Sequence, residues 1–244
     1  MTEYPRLWLT RPHDDSVAFA QELAPYGIAG IVAPVLRILP HPIHALPRAT
    51  PDALLLTSRH ATHALADLPA AWRTLPAYCV GHATAAAATE HGLQNILPGT
   101  SDVQTILPRI GNALSTGSRL LYLAGDETRT DVKHALAAYG VDVTVMVVYS
   151  AIANAALDEP LRMGLANGSI GGAVFFSPRS ARIACLLIEK AGLSACTHRM
   201  AAYCLSANVA SEASRLRWLS LHSCPRPTRH SLRELIVSHR KKTG

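Results

Sequence analysis

Short, continuously apolar runs recur along the chain, separated by longer stretches rich in alanine and leucine. The runs are Leu7–Thr10, Ala29–Val35, Ala53–Leu56, Ala77–Val80, Leu120–Leu123, Val143–Val148, Ala173–Phe176, Ala201–Leu205 and Trp218–Leu221. Runs that are apolar throughout, not alternating, predict strands buried on both faces. The stretches between them, Ser16–Ala24, Ala61–Leu68, Thr84–Glu90, Asp131–Ala138 and Ala181–Lys190, predict helices. Gly27 is placed to end the first of these in the left-handed region. Strands alternating with helices predict an α/β protein with doubly wound parallel sheets and right-handed crossovers, about five strands per unit.

The pattern occurs twice. RLWLTRPHDDSVAFAQELAPYGI from Arg6 recurs as RLLYLAGDETRTDVKHALAAYGV from Arg119, with Tyr26-Gly27 matched by Tyr139-Gly140. LLLTS at Leu54–Ser58 matches AVFFS at Ala173–Ser177, and AYCVGHATA at Ala77–Ala85 matches AYCLSANVA at Ala202–Ala210. Three echoes in one order imply two copies of a unit of about a hundred residues, the size of a small domain. Two related domains make a cleft suited to a small molecule.

Composition is compatible with two modest cores: 244 residues, 49% hydrophobic and 16% charged. The opening MTEYPRLWLTRPHDD has no signal-peptide apolar run, and no uncharged apolar stretch is long enough to span a membrane. The five cysteines form no CxxC pair or zinc-ligand spacing. Cys79 and Cys204 fall at matching places inside apolar runs and read as small buried hydrophobes, so a cytoplasmic location is expected. The net charge is +6, part of it in the tail Arg226–Lys242. That tail reads as a solvated helix with a frayed basic end, as a nucleic-acid contact, or as part of a positive field attracting a polyanion. No recognition helix or aromatic interleaving supports the nucleic-acid reading. No strongly apolar helix face is left over, so a monomer is expected.

The chemistry-bearing residues stand where the predicted strands end. There lie Thr10-Arg11-Pro12, Thr57-Ser58, Gly81-His82-Ala83-Thr84, Ser177-Pro178 and Ser206. Ser58, Thr84, Ser177 and Ser206 either cap the following helices or, with helix N-terminal N–H groups, form rims suited to carboxylates or phosphates. There is no GxGxxG after a strand, no P-loop, no GxSxG elbow and no HExxH. His41/His44 and His60/His63 lack the acidic or cysteine partners of a metal site, and none is expected. Asp126 and Glu127 either hold a metal or begin a helix.

The ordered set resembles the uroporphyrinogen-III synthase family. The pieces that carry the resemblance are Thr10-Arg11-Pro12, Pro34, Thr57-Ser58, Val80–Ala85, Gly125 with Arg129, Val148-Tyr149 and Phe176–Ser180. They span about Leu7 to Ile236. The resemblance implies two flavodoxin-like doubly wound domains joined by a two-stranded linker, with a cleft between them. Residues 1–36 with 152–244 would form one domain and 37–151 the inserted one, hinged near Leu36 and Tyr149–Ala151. The first piece of copy one would then complete the sheet of copy two.

The implied reaction is dehydrative cyclisation of hydroxymethylbilane to uroporphyrinogen III with inversion of ring D, without metal or organic cofactor. Transient hand-over from hydroxymethylbilane synthase is a further implication, with no nucleic-acid or membrane partner. Tyr149 matches the family's tyrosine, at a strand end. It would act either as general acid toward the departing hydroxyl or as a hinge residue packed between domains. Substrate carboxylates would be held by Arg11, Thr57, Ser58, Gly81, Thr84, Ser177, Pro178, Arg179, Ser206 and Asn208, with Arg11 and Arg179 alternatively paired with local acids. The second copy departs from the glycine pattern, with Leu205-Ser206-Ala207-Asn208 where the first has Val80-Gly81-His82-Ala83. The alternative to an enzyme is a non-catalytic module binding or sensing a tetrapyrrole or other polycarboxylate.

Overall fold

Eleven strands among the described residues gather into two separate sheets, and neither sheet is built from one half of the chain. The computed structural model describes residues 6–99, 102–127 and 130–243. The first sheet has the order β11-β10-β9-β1-β2, from β1 (Arg6–Leu9), β2 (Gly30–Val32), β9 (Ile170–Phe175), β10 (Ala201–Cys204) and β11 (Ser220–Ser223). Its pairs are all parallel, with Leu7 opposite both Gly30 and Gly172, and Ala201 opposite Gly172 and Ser220.

The second sheet has the order β3-β8-β7-β4-β5-β6. Its strands are β3 (Leu36–Pro40), β4 (Ala53–Leu56), β5 (Ala77–Cys79), β6 (Ile96–Pro98), β7 (Arg119–Gly125) and β8 (Asp142–Ala153). The chain divides into two units, Met1–Arg37 with Ile152–Gly244, and Ile38–Ala151. β3 and the end of β8 carry the chain across this division. Hydrogen bonds from Asn154 N to Val35 O (3.0 Å) and from His41 N to Val148 O (2.8 Å) show these two segments running in opposite directions.

Setting the repeats against the sheets reveals an exchange. β1-β2, from the start of copy one, pair with β9–β11, whereas β7-β8, from the start of copy two, pair with β4–β6. The two sheets then have the same internal order once matching strands are superposed. Matching turns also agree: Gly27 has φ 68° and Gly140 φ 70°.

Helices cover both faces of the central strands, whereas the run Val143–Val148, expected to be buried on both faces, lies in β8 with Val145 and Val147 44% and 46% exposed. In β4 all four residues, Ala53–Leu56, are buried. Leu54 and Leu56 join one core with Leu121, Leu123 and Trp72, while Leu55 joins another with Tyr122, Ile106 and Ile110. In the first unit Trp8 faces one core and Leu7 and Leu9 the other. The Trp8 indole donates to Ala33 O at 2.6 Å.

The helices are α1 (His13–Leu23), α2 (His82–Glu90), α3 (Val103–Ala113), α4 (Val132–Ala137), α5 (Glu159–Asn167), α6 (Pro178–Lys190), α7 (Ala207–Ala213) and α8 (Arg229–Thr243). Several depart from expectation. The predicted helix Ala61–Leu68 is a 3₁₀ segment, Arg59–Asp67. Thr62 Oγ1 donates to Arg59 O and His63 Nδ1 lies 2.6 Å from His60 O, three-residue contacts that fit the tighter turn. Asp126 and Glu127 begin no helix. Asp131 caps α4 instead, accepting from His134 N at 2.9 Å, and Asp126 accepts from Ala151 N at 3.4 Å.

The last strand is Ser220–Ser223, not Trp218–Leu221, because Trp218 is buried as an anchor with its indole donating to Ala213 O. The basic tail is not simply solvated: α8 buries Leu232, Ile236 and Val237 in the core with Phe19 and Leu23, a spacing that puts one apolar face on the sheet. Strand β6 and helices α3 and α5 lie outside the elements that the apolar pattern predicts. α3 hides behind Pro108, which sits inside it, an unfavourable helix residue overridden by burial of Ile106, Leu107 and Ile110.

Candidate functional site

In each sheet the strand order reverses beside one central pair, β1 and β9 in the first and β4 and β7 in the second. Such switch points leave a crevice beyond the carboxyl ends of the strands, where helices depart on opposite faces. Arg11, Ser177, Thr57 and Ser58 follow the ends of β1, β9 and β4, Gly81 and Ser206 follow the neighbouring β5 and β10, and Tyr149 lies within β8.

In the second unit β4 leads into Thr57 and Ser58, and β7 ends at Gly125. The register slips between Ala124 and Gly125, so that Gly125 faces Tyr149. Tyr149 is therefore not at a strand end, as expected, but inside β8 at a bulge, a device that re-aims a side chain. Gly125 lets the ring approach closely: an added Cβ would lie 2.7 Å from Tyr149 Cζ and 2.8 Å from its hydroxyl oxygen, so a larger residue would require the tyrosine side chain to move. The half-buried ring has the His60 imidazole edge-on, centroids 5.9 Å apart. His63 joins the 3₁₀ segment to β8, its Nε2 lying 3.0 Å from Val148 O.

Thr57, Ser58, Tyr122, Gly125, Glu127 and Tyr149 line an open depression of about 230 Å³ within this unit. Tyr122, not foreseen as a site residue, lies 2.9 Å from Thr57 Oγ1 through its hydroxyl. Burial pushes the Tyr122 phenol above its ordinary pKa, with the Thr57 hydrogen bond partly offsetting this and Tyr149 adding to it. The signal that could have found it is a polar-tipped residue in the middle of the apolar stretch that follows Arg119 in RLLYLAG.

Ser58 caps the 3₁₀ segment, accepting from His60 N at 3.2 Å. Gly81 is the N-cap of α2 at φ 80°, a backbone conformation that favours glycine, and offers no side-chain cap to the first turn. Thr84 is not the cap and is only 5% exposed. Neither Gly81 nor Thr84 lines the depression.

In the first unit Arg11, Ser177 and Ser206 stand on the adjacent strand ends of β1, β9 and β10. Their polar groups already have local work. Arg11 holds the Asp15 carboxylate at 2.9 and 3.2 Å and lies 4.9 Å over the Phe176 ring. Ser177 caps α6, accepting from Ser180 N at 3.1 Å and donating to Ser180 Oγ at 2.9 Å. Pro178 is the first residue of α6, followed by a half-buried Arg179. Ser206 accepts from Val209 N at 3.4 Å, and Asn208 is exposed on α7. Thr10 is fully buried, donating to Val174 O at 2.7 Å.

Among the described residues no group of three or more His, Cys, Asp or Glu side chains is arranged as a metal cluster. Arg129 lies outside the described residues.

The sequence profile of the family described as uroporphyrinogen-III synthase HemD matches residues 17–234. The chain belongs to the uroporphyrinogen-III synthase family. Comparison with the sequences of curated proteins gives no significant match. Among solved structures, the uroporphyrinogen-III synthetase from Helicobacter pylori 26695 is 17% identical, with a TM-score of 0.65 over 96% of this chain and 99% of that one. A mutant uroporphyrinogen III synthase from the extremely thermophilic bacterium Thermus thermophilus is 16% identical, with a TM-score of 0.52 over 97% and 99%. At these identities the likeness to the two synthases is one of fold. Like the family to which it belongs, the chain is associated with tetrapyrrole biosynthesis. No helix among the described residues is long and apolar enough to cross a membrane.

Proposed function

We propose that this protein converts hydroxymethylbilane into uroporphyrinogen III by dehydrative cyclisation with inversion of ring D. The observation that carries the reading is the family match over residues 17–234. The strand-end geometry around Tyr149 supports it. Electron-rich pyrroles expel the hydroxyl group themselves, giving an azafulvene cation, so the reaction calls for no metal or organic cofactor. The protein must assist the leaving group and fix which carbon attacks.

Tyr149 supplies the first of these. Its phenol O–H can donate a proton to the departing hydroxyl, which leaves as water. When the new ring regains aromaticity it loses a proton, and the phenolate takes one up. Orientation is the second contribution. Left alone, the linear chain closes without inversion. Held so that the substituted carbon of ring D attacks first, it forms a spiro centre whose older methylene bond then breaks to a second azafulvene cation. That cation rebonds at the ring's free α-carbon, where the proton is lost.

The substrate's eight carboxylates call for many donors. Thr57, Ser58 and the Gly81-capped start of α2 suit that role in one unit. Ser177, Pro178 and Arg179 at the start of α6, with Ser206 and Asn208 at the start of α7, suit it in the other. There the helix N–H groups contribute more than the serine hydroxyls, which are engaged in capping. Thr84 lies in the first turn of α2 beside Gly81, and Arg11 adds positive charge while paired with Asp15.

The test is a purified-protein assay with freshly generated hydroxymethylbilane. An enzyme shifts the product from the type I to the type III isomer. Type I alone, with porphyrin still bound, would instead assign a non-catalytic binding module.

A further inference from the structure

We infer that Tyr122 is a positioning residue that commits the Thr57 hydroxyl to donating a hydrogen bond, making Thr57 a selective contact for a ligand carboxylate. Leu55 of β4 lies directly opposite Tyr122 of β7. Thr57, two residues further along, points from the same face of the sheet. The Tyr122 ring is 4% exposed and belongs to the core with Leu55, Ile106 and Ile110. Its hydroxyl emerges at the lining of the depression, 2.9 Å from Thr57 Oγ1.

Chemistry decides the direction of that bond. A phenol is a stronger donor than an aliphatic alcohol and a weaker acceptor, because its lone pair is delocalised into the ring. Tyr122 therefore donates, and Thr57 accepts. The Thr57 proton is then released toward the open side, and accepting one hydrogen bond strengthens it as a donor of the next. The reverse orientation would present Thr57 lone pairs to the depression and repel an anion. Burial of Tyr122, which disfavours its phenolate, keeps the donor available. The resulting Tyr122–Thr57–carboxylate chain discriminates a carboxylate from a neutral or cationic group.

The assignment deepens the proposed function and rests on it for the identity of the acid, so the test carries two readouts in the full-length protein. One is the Kd for uroporphyrin III, used as a stable polycarboxylate probe and read by porphyrin fluorescence. The other is KM and kcat in the isomer assay. Tyr122→Phe and Thr57→Val are each expected to raise Kd and KM about 3- to 10-fold, the range of one neutral hydrogen bond, with kcat little changed. The double variant is expected to be no worse than the weaker single one, because both remove the same chain. Thr57→Ser should bind as the wild type does.

Additive losses, unchanged Kd in both single variants, or no porphyrin binding by the wild type would overturn the assignment. Should Tyr122→Phe fail to fold, Thr57→Ser and Thr57→Val decide alone, and equal Kd values in the two would end it. Coupled binding without any type III product would leave the Tyr122–Thr57 pair standing while refuting the catalytic reading.

Discussion

The phenol of Tyr149 rests against the α-carbon of Gly125, so closely that a single methyl group there would sit 2.7 Å from its Cζ. β7 and β8 slip register at this point, and the absence of a side chain at 125 is what gives the ring its position. Gly125→Ala must displace the ring or the strand. It is expected to cost about 1–3 kcal/mol of stability and at least about tenfold in type III formation, measured by denaturant unfolding and the isomer assay. Wild-type rates in a folded Gly125→Ala protein would show that the ring's position is immaterial.

Tyr149→Phe separates the hydroxyl from the ring. Phenylalanine keeps the contacts with Gly125 and His60, so the melting temperature should change little. The turnover number is expected to fall about 100-fold or more, the range of a general acid. Full turnover would reduce Tyr149 to a packing residue.

Ser177 distinguishes a cap from a ligand. Its hydroxyl accepts from Ser180 N and donates to Ser180 Oγ, so Ser177→Ala should cost about 1 kcal/mol in stability with KM nearly unchanged. Ser177→Asp keeps a capping oxygen but adds negative charge at the start of α6. It is expected to retain stability and raise KM, and a KM equal to the wild type's would remove this helix start from the substrate contacts.

The sequence was most informative where one physical requirement acts alone. The apolar run of β4 became a parallel strand with all four residues buried, whereas the apolar run in β8 leaves Val145 and Val147 exposed, because nothing in residue identity says which strands are covered on both faces. Gly27 and Gly140 ended their turns as their positions implied. Legibility failed where tertiary contacts override local preference. Pro108 concealed α3, and β6 is only three residues long. At the site, Thr57, Ser58, Gly125 and Tyr149 were readable because they interrupt apolar runs or carry the family resemblance. Tyr122 was not, because a tyrosine within a strand looks like core until its hydroxyl is seen beside Thr57. That Ser177 and Arg11 are committed to Ser180 and Asp15 likewise depends on helix geometry that residue identity does not express.

His222 makes stability depend on pH. Its ring stacks beside Tyr203 from β10, centroids 5.5 Å apart, and lies 4.3 Å from the ring of His239 on α8. Its Nε2 is 2.9 Å from Ser220 Oγ, and Arg240 of α8 acts on the same Tyr203. Burial, and then His239, lower the His222 pKa from 6.5. The unfolded chain therefore takes up this proton more readily. The stabilisation is present above pH about 6.5 and is lost as pH falls from there through the folded value. The melting temperature should drop more steeply between pH 7 and 5 in the wild type than in His222→Gln; equal slopes would clear His222 of this role.

The thiols should sort by burial. Desolvation raises Cys79 to about 11, and Cys185 and Cys204 to about 12. Cys224 is buried and raised as well, whereas Cys196 is half-buried. A thiol reagent at pH 7.5 is expected to titrate Cys196 alone in the native protein and all five cysteines after denaturation. Rapid native reaction at Cys79 or Cys204 would contradict the packing of β5 and β10.

The pairing of β1 with β9 has a consequence for how the polypeptide is made. Thr10 waits for Val174, 164 positions downstream, so β1 leaves the ribosome well before one of its two neighbouring strands has been made. The intervening segment Ile38–Ala151 can be finished while β1 is still unsatisfied, and closure over so long a span is slow. A premature stop after that segment would release one completed body trailing β1 and β2 without β9, and their uncovered apolar residues invite aggregation.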